Sequence, residues 1–178
     1  MIAAVVRSDG VILGESLASQ HDIHENFGGI VPNLARNAHI EKIDSTVQEA
    51  IANAGLSSVN DVDAIGVTVG PGLEICLRVG CHNARELAIQ YDKPFVGIHH
   101  LEAHILMARL GLNLNDEKKG SFIVPATEQT HEIKVAMEFP FLALLVSGGH
   151  CQIMKCIGIG QYSIIGGTID DSLGKMPL

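Results

Sequence analysis

Residues Ala64 to Ile98 read AIGVTVGPGLEICLRVGCHNARELAIQYDKPFVGI, and this stretch decides the fold class. Ala64 to Val69 is a short β-rich run that stops at Gly70-Pro71-Gly72. A helical pattern then runs from about Leu73 to Tyr91, and Pro94 to Ile98 is a second short apolar run. Strand, helix, strand in this order predicts a parallel βαβ unit, because a crossover helix returns the chain to the same end of the sheet.

The flanking segments extend that unit. Upstream, Ile43, Val47, Ala50, Ile51 and Ala54 recur at three- and four-residue steps from Ile40 and stop at Gly55, which predicts an amphipathic helix with a glycine C-cap. Before it lies a stretch rich in His and Gly, and before that Ile2 to Val6, Ser8-Asp9-Gly10 and Val11 to Leu17 predict a β-hairpin. Downstream, a third helix is expected from about His99 to Leu110. Gly111 to Pro140 has no clear period and reads as a long connection. Phe141 to Val146, Gln152 to Ile157 and Tyr162 to Ile165 then predict three strands, and Asp170-Asp171-Ser172 an N-cap cluster. The expected organisation is residues 1–110, 111–139 and 140–178.

Composition agrees with an α/β chain and narrows its partners. Of 178 residues, 47% are apolar and 18% charged, a globular balance. Twelve Lys+Arg against twenty Asp+Glu leave −8, so a nucleic-acid partner must be met by a local patch. Aromatic residues make up 4% and Trp is absent, which argues against a base-stacking platform. No apolar run reaches the roughly 18 to 20 residues of a membrane span, so no membrane partner is expected. Cys76/Cys81 and Cys151/Cys156 each have four residues between them and lie in apolar surroundings, so they are expected as buried free thiols.

Three segments could carry chemistry. His100 and His104, within His99-His-Leu-Glu-Ala-His104, project within about 40° of each other on a helix and can share one metal ion, or stand as two solvated histidines. Glu102 sits about 200° on from His100, which disfavours the general-base geometry of a zinc peptidase. Two imidazoles leave a metal short of ligands, so a further one must come from elsewhere. Gly70, Pro71 and Gly72 ahead of a helix can present backbone N–H groups to a phosphate or merely turn the chain, with Arg78 and Arg85 on that helix. Leu144-Leu-Val-Ser-Gly-Gly-His150 lets backbone approach a nucleotide closely, or forms a plain glycine turn.

Together these segments resemble the TsaD family, the tRNA adenosine threonylcarbamoyltransferases also labelled O-sialoglycoprotein endopeptidases. The resemblance rests on Phe27-Gly-Gly-Ile-Val-Pro32 with His24 and His39, Thr68-Val-Gly-Pro-Gly-Leu73 through Leu77-Arg-Val-Gly80, and His99-His-Leu-Glu-Ala-His104. It continues through Phe139-Pro-Phe141, Leu145-Val-Ser-Gly-Gly-His150, Gly158-Ile-Gly-Gln-Tyr162 and Gly166-Gly-Thr-Ile-Asp-Asp171. Glu-Ala before His104 and His150 after Gly-Gly lean toward the mitochondrial form.

The resemblance implies an actin-like (ASKHA) fold. This chain would supply one ribonuclease-H-like lobe lacking its first strand, plus the first strands of a second lobe. It implies one divalent metal ion (iron, zinc or magnesium) on His100 and His104, completed by an Asp of the second lobe. It further implies threonylcarbamoyl-AMP held by Leu145, Val146, Ser147, Gly148 and Gly149. The partner would be mitochondrial tRNA, and the full-length form a homodimer. No side chain is assigned as general base. The family continues at both ends beyond the segments found here, so this chain alone is expected to turn over weakly or not at all. A non-catalytic binding or dimerisation fragment is the alternative, and a metallo-glycopeptidase the third.

Overall fold

The computed structural model describes residues 1–27, 29–107, 138–146 and 151–169. The chain divides into two compact units, Met1–His104 and Ile105–Leu178.

The first unit opens with a hairpin, β1 (Ile2–Val6) and β2 (Ile12–Leu17), paired antiparallel from Ile2 opposite Leu17 to Val5 opposite Gly14, with a bulge at Val5/Val6. The turn is closed by Gly10 N–H donating to Arg7 O at 2.9 Å and Arg7 N–H donating to Val11 O at 2.8 Å. A single helical turn, α1 (His21–His24), and a 3₁₀ turn, Glu25–Phe27, lead to α2 (Pro32–Asn53).

Helix α2 starts two turns earlier than its apolar period suggests. Pro32 occupies the first turn, where a missing N–H costs nothing. The buried positions that follow are the small residues Ala35 and Ala38, too short to register as an apolar stripe. The C-terminus is as expected: Gly55 N–H donates to Ala52 O at 2.9 Å and Leu56 N–H to Ile51 O at 3.1 Å. This is the Schellman arrangement, with Gly55 at φ 73°.

The predicted βαβ unit is present as β3 (Ile65–Gly70), α3 (Glu74–Gln90) and β4 (Phe95–His99). β3 and β4 run parallel, with Ile65 opposite Phe95 and Gly70 opposite His99. The short helix α4 (His100–Leu106) follows β4 at once. Helix α2 packs on β1, β2 and α3, while α3 covers β3. The core of this unit is built from Ala35, Ala38, Ala50 and Ile51 of α2 with Ala84 and Ala88 of α3. Buried Thr46 is satisfied by donating from Oγ1 to Lys42 O at 2.7 Å. Ser16 Oγ donates to Glu49 Oε2 at 2.7 Å, and Asn53 Nδ2 to Glu15 O at 2.9 Å, tying β2 to α2.

The second unit contains an antiparallel meander, β5 (Phe141–Val146), β6 (Cys151–Gly158) and β7 (Gln161–Gly167). Phe141 faces Cys156 and Val146 faces Cys151, so the whole of β5 is paired. The rings of Phe139 and Phe141 stack at 5.2 Å just before it.

The cysteines depart from expectation. None of the four is in a disulfide, but only Cys156 is buried, while Cys76, Cys81 and Cys151 are partly exposed. A five-residue step reverses the face on a strand, which separates Cys151 from buried Cys156, and turns about 140° on a helix, so Cys76 and Cys81 cannot both point into the core and neither is fully buried. Burial pushes the Cys156 thiol up, and Cys76 likewise, with Arg36 acting against it.

Candidate functional site

His100 and His104 stand one turn apart on α4, with ring centroids 4.6 Å apart and planes at 80°. Both residues are exposed. α4 is positioned by its predecessor: His99 Nδ1 accepts from Glu102 N–H at 3.4 Å, which makes the last residue of β4 the cap of the helix. Glu102 is therefore engaged through its backbone at the helix start.

The Gly70-Pro71-Gly72 loop lies beside this pair. Register places Gly70 opposite His99, so both segments leave the same C-terminal edge of the parallel β3–β4 pair. In parallel sheets that edge is where ligands collect. Gly70 has φ 152° and Gly72 φ 156°, a region that side-chain-bearing residues rarely adopt, so the loop's course depends on glycine. Helix α3 begins at Glu74 without a side-chain cap; Cys76 N–H and Leu77 N–H both donate to Leu73 O at 3.0 Å, and the N–H groups of Glu74 and Ile75 precede the first intrahelical bond. Glu74 Oε1 accepts from Arg78 Nη2 at 2.7 Å and Nε at 3.1 Å, and both side chains are about three-quarters exposed (74% and 77%). The carboxylate thus balances the nearest cation. Arg85 lies seven residues, or roughly 10 Å, farther along α3, away from the loop.

Of the expected nucleotide-binding run, Leu145 and Val146 end β5, opposite Gln152 and Cys151. Ser147, Gly148, Gly149 and His150 lie outside the described residues, as do Asp170 and Asp171. Thr168, which spacing did not single out, anchors the first residue of β6. Its Oγ1 accepts from Cys151 N–H at 2.7 Å and donates to Cys151 O at 3.2 Å. The signal available in sequence was its place within Gly166-Gly-Thr-Ile-Asp-Asp171.

His24 and His39 act on the chain leading into α2. His24 Nδ1 accepts from Val31 N–H at 3.3 Å, which places the ring proton on Nε2, a buried atom without a partner among the described residues. His39 Nδ1 lies 2.7 Å from both Ala35 O and Gln20 Nε2.

The donor chemistry of the His100/His104 pair suits a borderline divalent ion, since imidazole binds iron and zinc alike. Among the described residues no group of three or more His, Cys, Asp or Glu side chains converges, and two imidazoles are fewer than the three or four protein ligands such an ion takes.

Residues 11–177 match the model of the family described as TsaD, tRNA N6-adenosine threonylcarbamoyltransferase. The chain belongs to the TsaD family. Among its TsaD relatives, a protein of Arabidopsis thaliana named probable mitochondrial tRNA N6-adenosine threonylcarbamoyltransferase is 40% identical over 173 residues, covering 97% of this chain and 31% of the relative. A bacterial tRNA N6-adenosine threonylcarbamoyltransferase from Polynucleobacter asymbioticus is 42% identical over 164 residues, or 92% of this chain and 40% of its own. The mitochondrial form of Xenopus tropicalis is 40% identical over 172 residues, with 97% and 36% covered. The chain therefore spans about a third to two-fifths of the length of these TsaD relatives. The TsaD match includes the α4 histidines, the Gly70–Gly72 loop and residues 147–150 between β5 and β6.

Proposed function

We propose that this chain contributes the metal-binding histidines and part of the nucleotide cradle for threonylcarbamoyl transfer to tRNA. The observation that carries this reading is the His100/His104 pair on one exposed face of α4, beside the Gly70–Gly72 loop, in a TsaD-family chain. In the proposed reaction the N6 amino group of the adenosine next to the anticodon attacks the carbamoyl carbon of threonylcarbamoyl-AMP. A C–N bond forms, the C–O bond to phosphate breaks, AMP leaves with the electron pair, and the amine gives up its proton. A bound divalent ion would polarise the carbonyl or stabilise the leaving phosphate. His100 and His104 would hold that ion. Backbone N–H groups at Gly70–Gly72 and at the α3 start would receive phosphate oxygens. Leu145, Val146 and Ser147 to Gly149 would line the adenylate.

The organisation proposed with it is an actin-like pair of ribonuclease-H-like lobes, of which residues 1–110 belong to the first and 140–178 to the second, with 111–139 connecting them. Mitochondrial tRNA as substrate and a homodimer belong to the same reading; two of the relatives are named as mitochondrial forms. The test is the content of threonylcarbamoyladenosine in mitochondrial tRNA after loss of the locus. Disappearance of the modified base is expected, and unchanged modification would overturn the proposal. A second reading, a binding module without turnover, draws on the chain's partial span of its relatives. Turnover by the purified chain with tRNA and threonylcarbamoyl-AMP would exclude it.

A further inference from the structure

The run His99-His100-Leu-Glu-Ala-His104 carries three imidazoles, and the structure gives the first a different task from the other two. His99 is the last residue of β4, opposite Gly70, and α4 starts at the next residue with no loop between. One residue therefore fixes where α4 begins. Its backbone belongs to the sheet, while its side chain serves the helix, where Nδ1 accepts the Glu102 N–H at 3.4 Å. Glu102 is the third helical residue, so this is the bond that an N-cap side chain makes. A ring nitrogen here takes the part usually played by a Ser, Asp or Asn oxygen.

That bond decides what His99 can offer. With Nδ1 accepting, the ring proton sits on Nε2, so in this tautomer neither nitrogen has a lone pair free for a cation. The geometry agrees: His100 and His104 bring their rings to 4.6 Å, yet among the described residues no third His, Cys, Asp or Glu joins them. Helix α4 also depends on a cap more than a long helix would. It has seven residues and one buried side chain, Ile105, and a helix that short has little stability of its own. His100 and His104 keep their one-turn spacing only while it is wound. A pair whose competent geometry is populated part of the time binds its ion more weakly by that fraction.

We propose that His99 is a positioning residue and not a third ligand: its ring keeps the first turn of α4 wound, and so holds His100 and His104 at the spacing that one divalent ion requires. This rests on the proposed reading of His100 and His104 as the metal pair. Among capping side chains, Asn matches the histidine most nearly, since its Oδ1 stands as many bonds from Cα as Nδ1 does.

The test measures Zn(II) binding by the full chain in equilibrium dialysis, together with hydrogen exchange of the Glu102 amide. His99→Ala should weaken Zn(II) binding about fivefold and speed that exchange by a similar factor, the usual cost of a lost N-cap. His99→Asn, which restores an acceptor but is not a zinc ligand, should return both to the wild-type values. Exchange at the buried Ala84 and Ala88 amides of α3 should stay unchanged in both variants; faster exchange there would mean a general loss of stability and overturn the proposal. Zn(II) binding that ignores His99→Ala also overturns it, as does an asparagine variant with normal Glu102 exchange and weakened Zn(II) binding, the mark of a lost ligand. His100→Ala checks the underlying reading separately. If that substitution leaves Zn(II) binding unchanged, the metal pair falls and this inference with it; if it weakens binding while His99→Ala does not, this inference alone falls. The asparagine variant decides between cap and ligand even where the alanine variant fails to fold.

Discussion

Gly14 of β2 abuts Ala54 at the end of α2 so closely that a side chain has no place between them. A Cβ on Gly14 would stand 2.6 Å from the Asn53 carbonyl carbon and 2.7 Å from Ala50 O. The obstructing atoms are backbone, which cannot swing aside as a side-chain tip can. Gly14→Ala should therefore push the hairpin off the helix and destabilise the chain by about 1–3 kcal/mol. Urea unfolding followed by circular dichroism measures this, and an unchanged midpoint would show that hairpin and helix are not held in register here.

The α4 histidines should behave as one site. Substituting either His100 or His104 with Ala is expected to weaken Fe(II) or Zn(II) binding at least tenfold in equilibrium dialysis. Two ligands of one ion are not additive, so the double substitution should cost little beyond either single change. Independent losses would mean that the rings do not share an ion.

Thr168→Val removes both hydrogen bonds that fix Cys151, the first residue of β6. A loss of about 1–2 kcal/mol is expected, together with faster hydrogen exchange at the Cys151 amide. Thr168→Ser should restore both. If the serine variant is as destabilised as the valine one, the two hydroxyl hydrogen bonds are not what holds Cys151 in place.

The Arg7 guanidinium, hydrogen-bonded to both oxygens of Asp9 at 2.9 and 2.6 Å, holds that carboxyl down at about 2, against 3.8 ordinarily. A lowered folded-state value means that the hairpin turn gains stability above the unfolded value of 3.8 and loses it as pH falls through about 2. Carboxyl carbon shifts of Asp9 should titrate at the low end, and Arg7→Gln should bring the midpoint back toward 3.8. A midpoint that ignores the substitution would rule out the pairing in solution.

What local pattern specifies was legible in the sequence. The hairpin at Ile2 to Leu17, the Gly55 cap, the βαβ unit and the three strands after Phe141 all follow from periodicity and turn chemistry acting over a few residues. The first two turns of α2 were not, because Ala35 and Ala38 are buried without being large. The separation of β1–β2 from β3–β4 was equally invisible, since strand alternation does not say which edges meet. At the site, helical spacing sufficed to put His100 and His104 on one face. The adjacency of Gly70 to His99 needed the parallel register, and the part played by Thr168 needed the geometry of a strand end.

The pairing scheme also governs how the chain acquires structure. β1 joins the strand next to it, β3 joins β4 across the α3 crossover, and β5, β6 and β7 follow one another directly. Contacts between chain neighbours require only short loop closures, and their entropic cost is small. At ribosomal rates of about 5–20 residues per second, each module has seconds to assemble before the next emerges, against microseconds for a hairpin to form. Low contact order thus favours folding in step with translation, one module at a time.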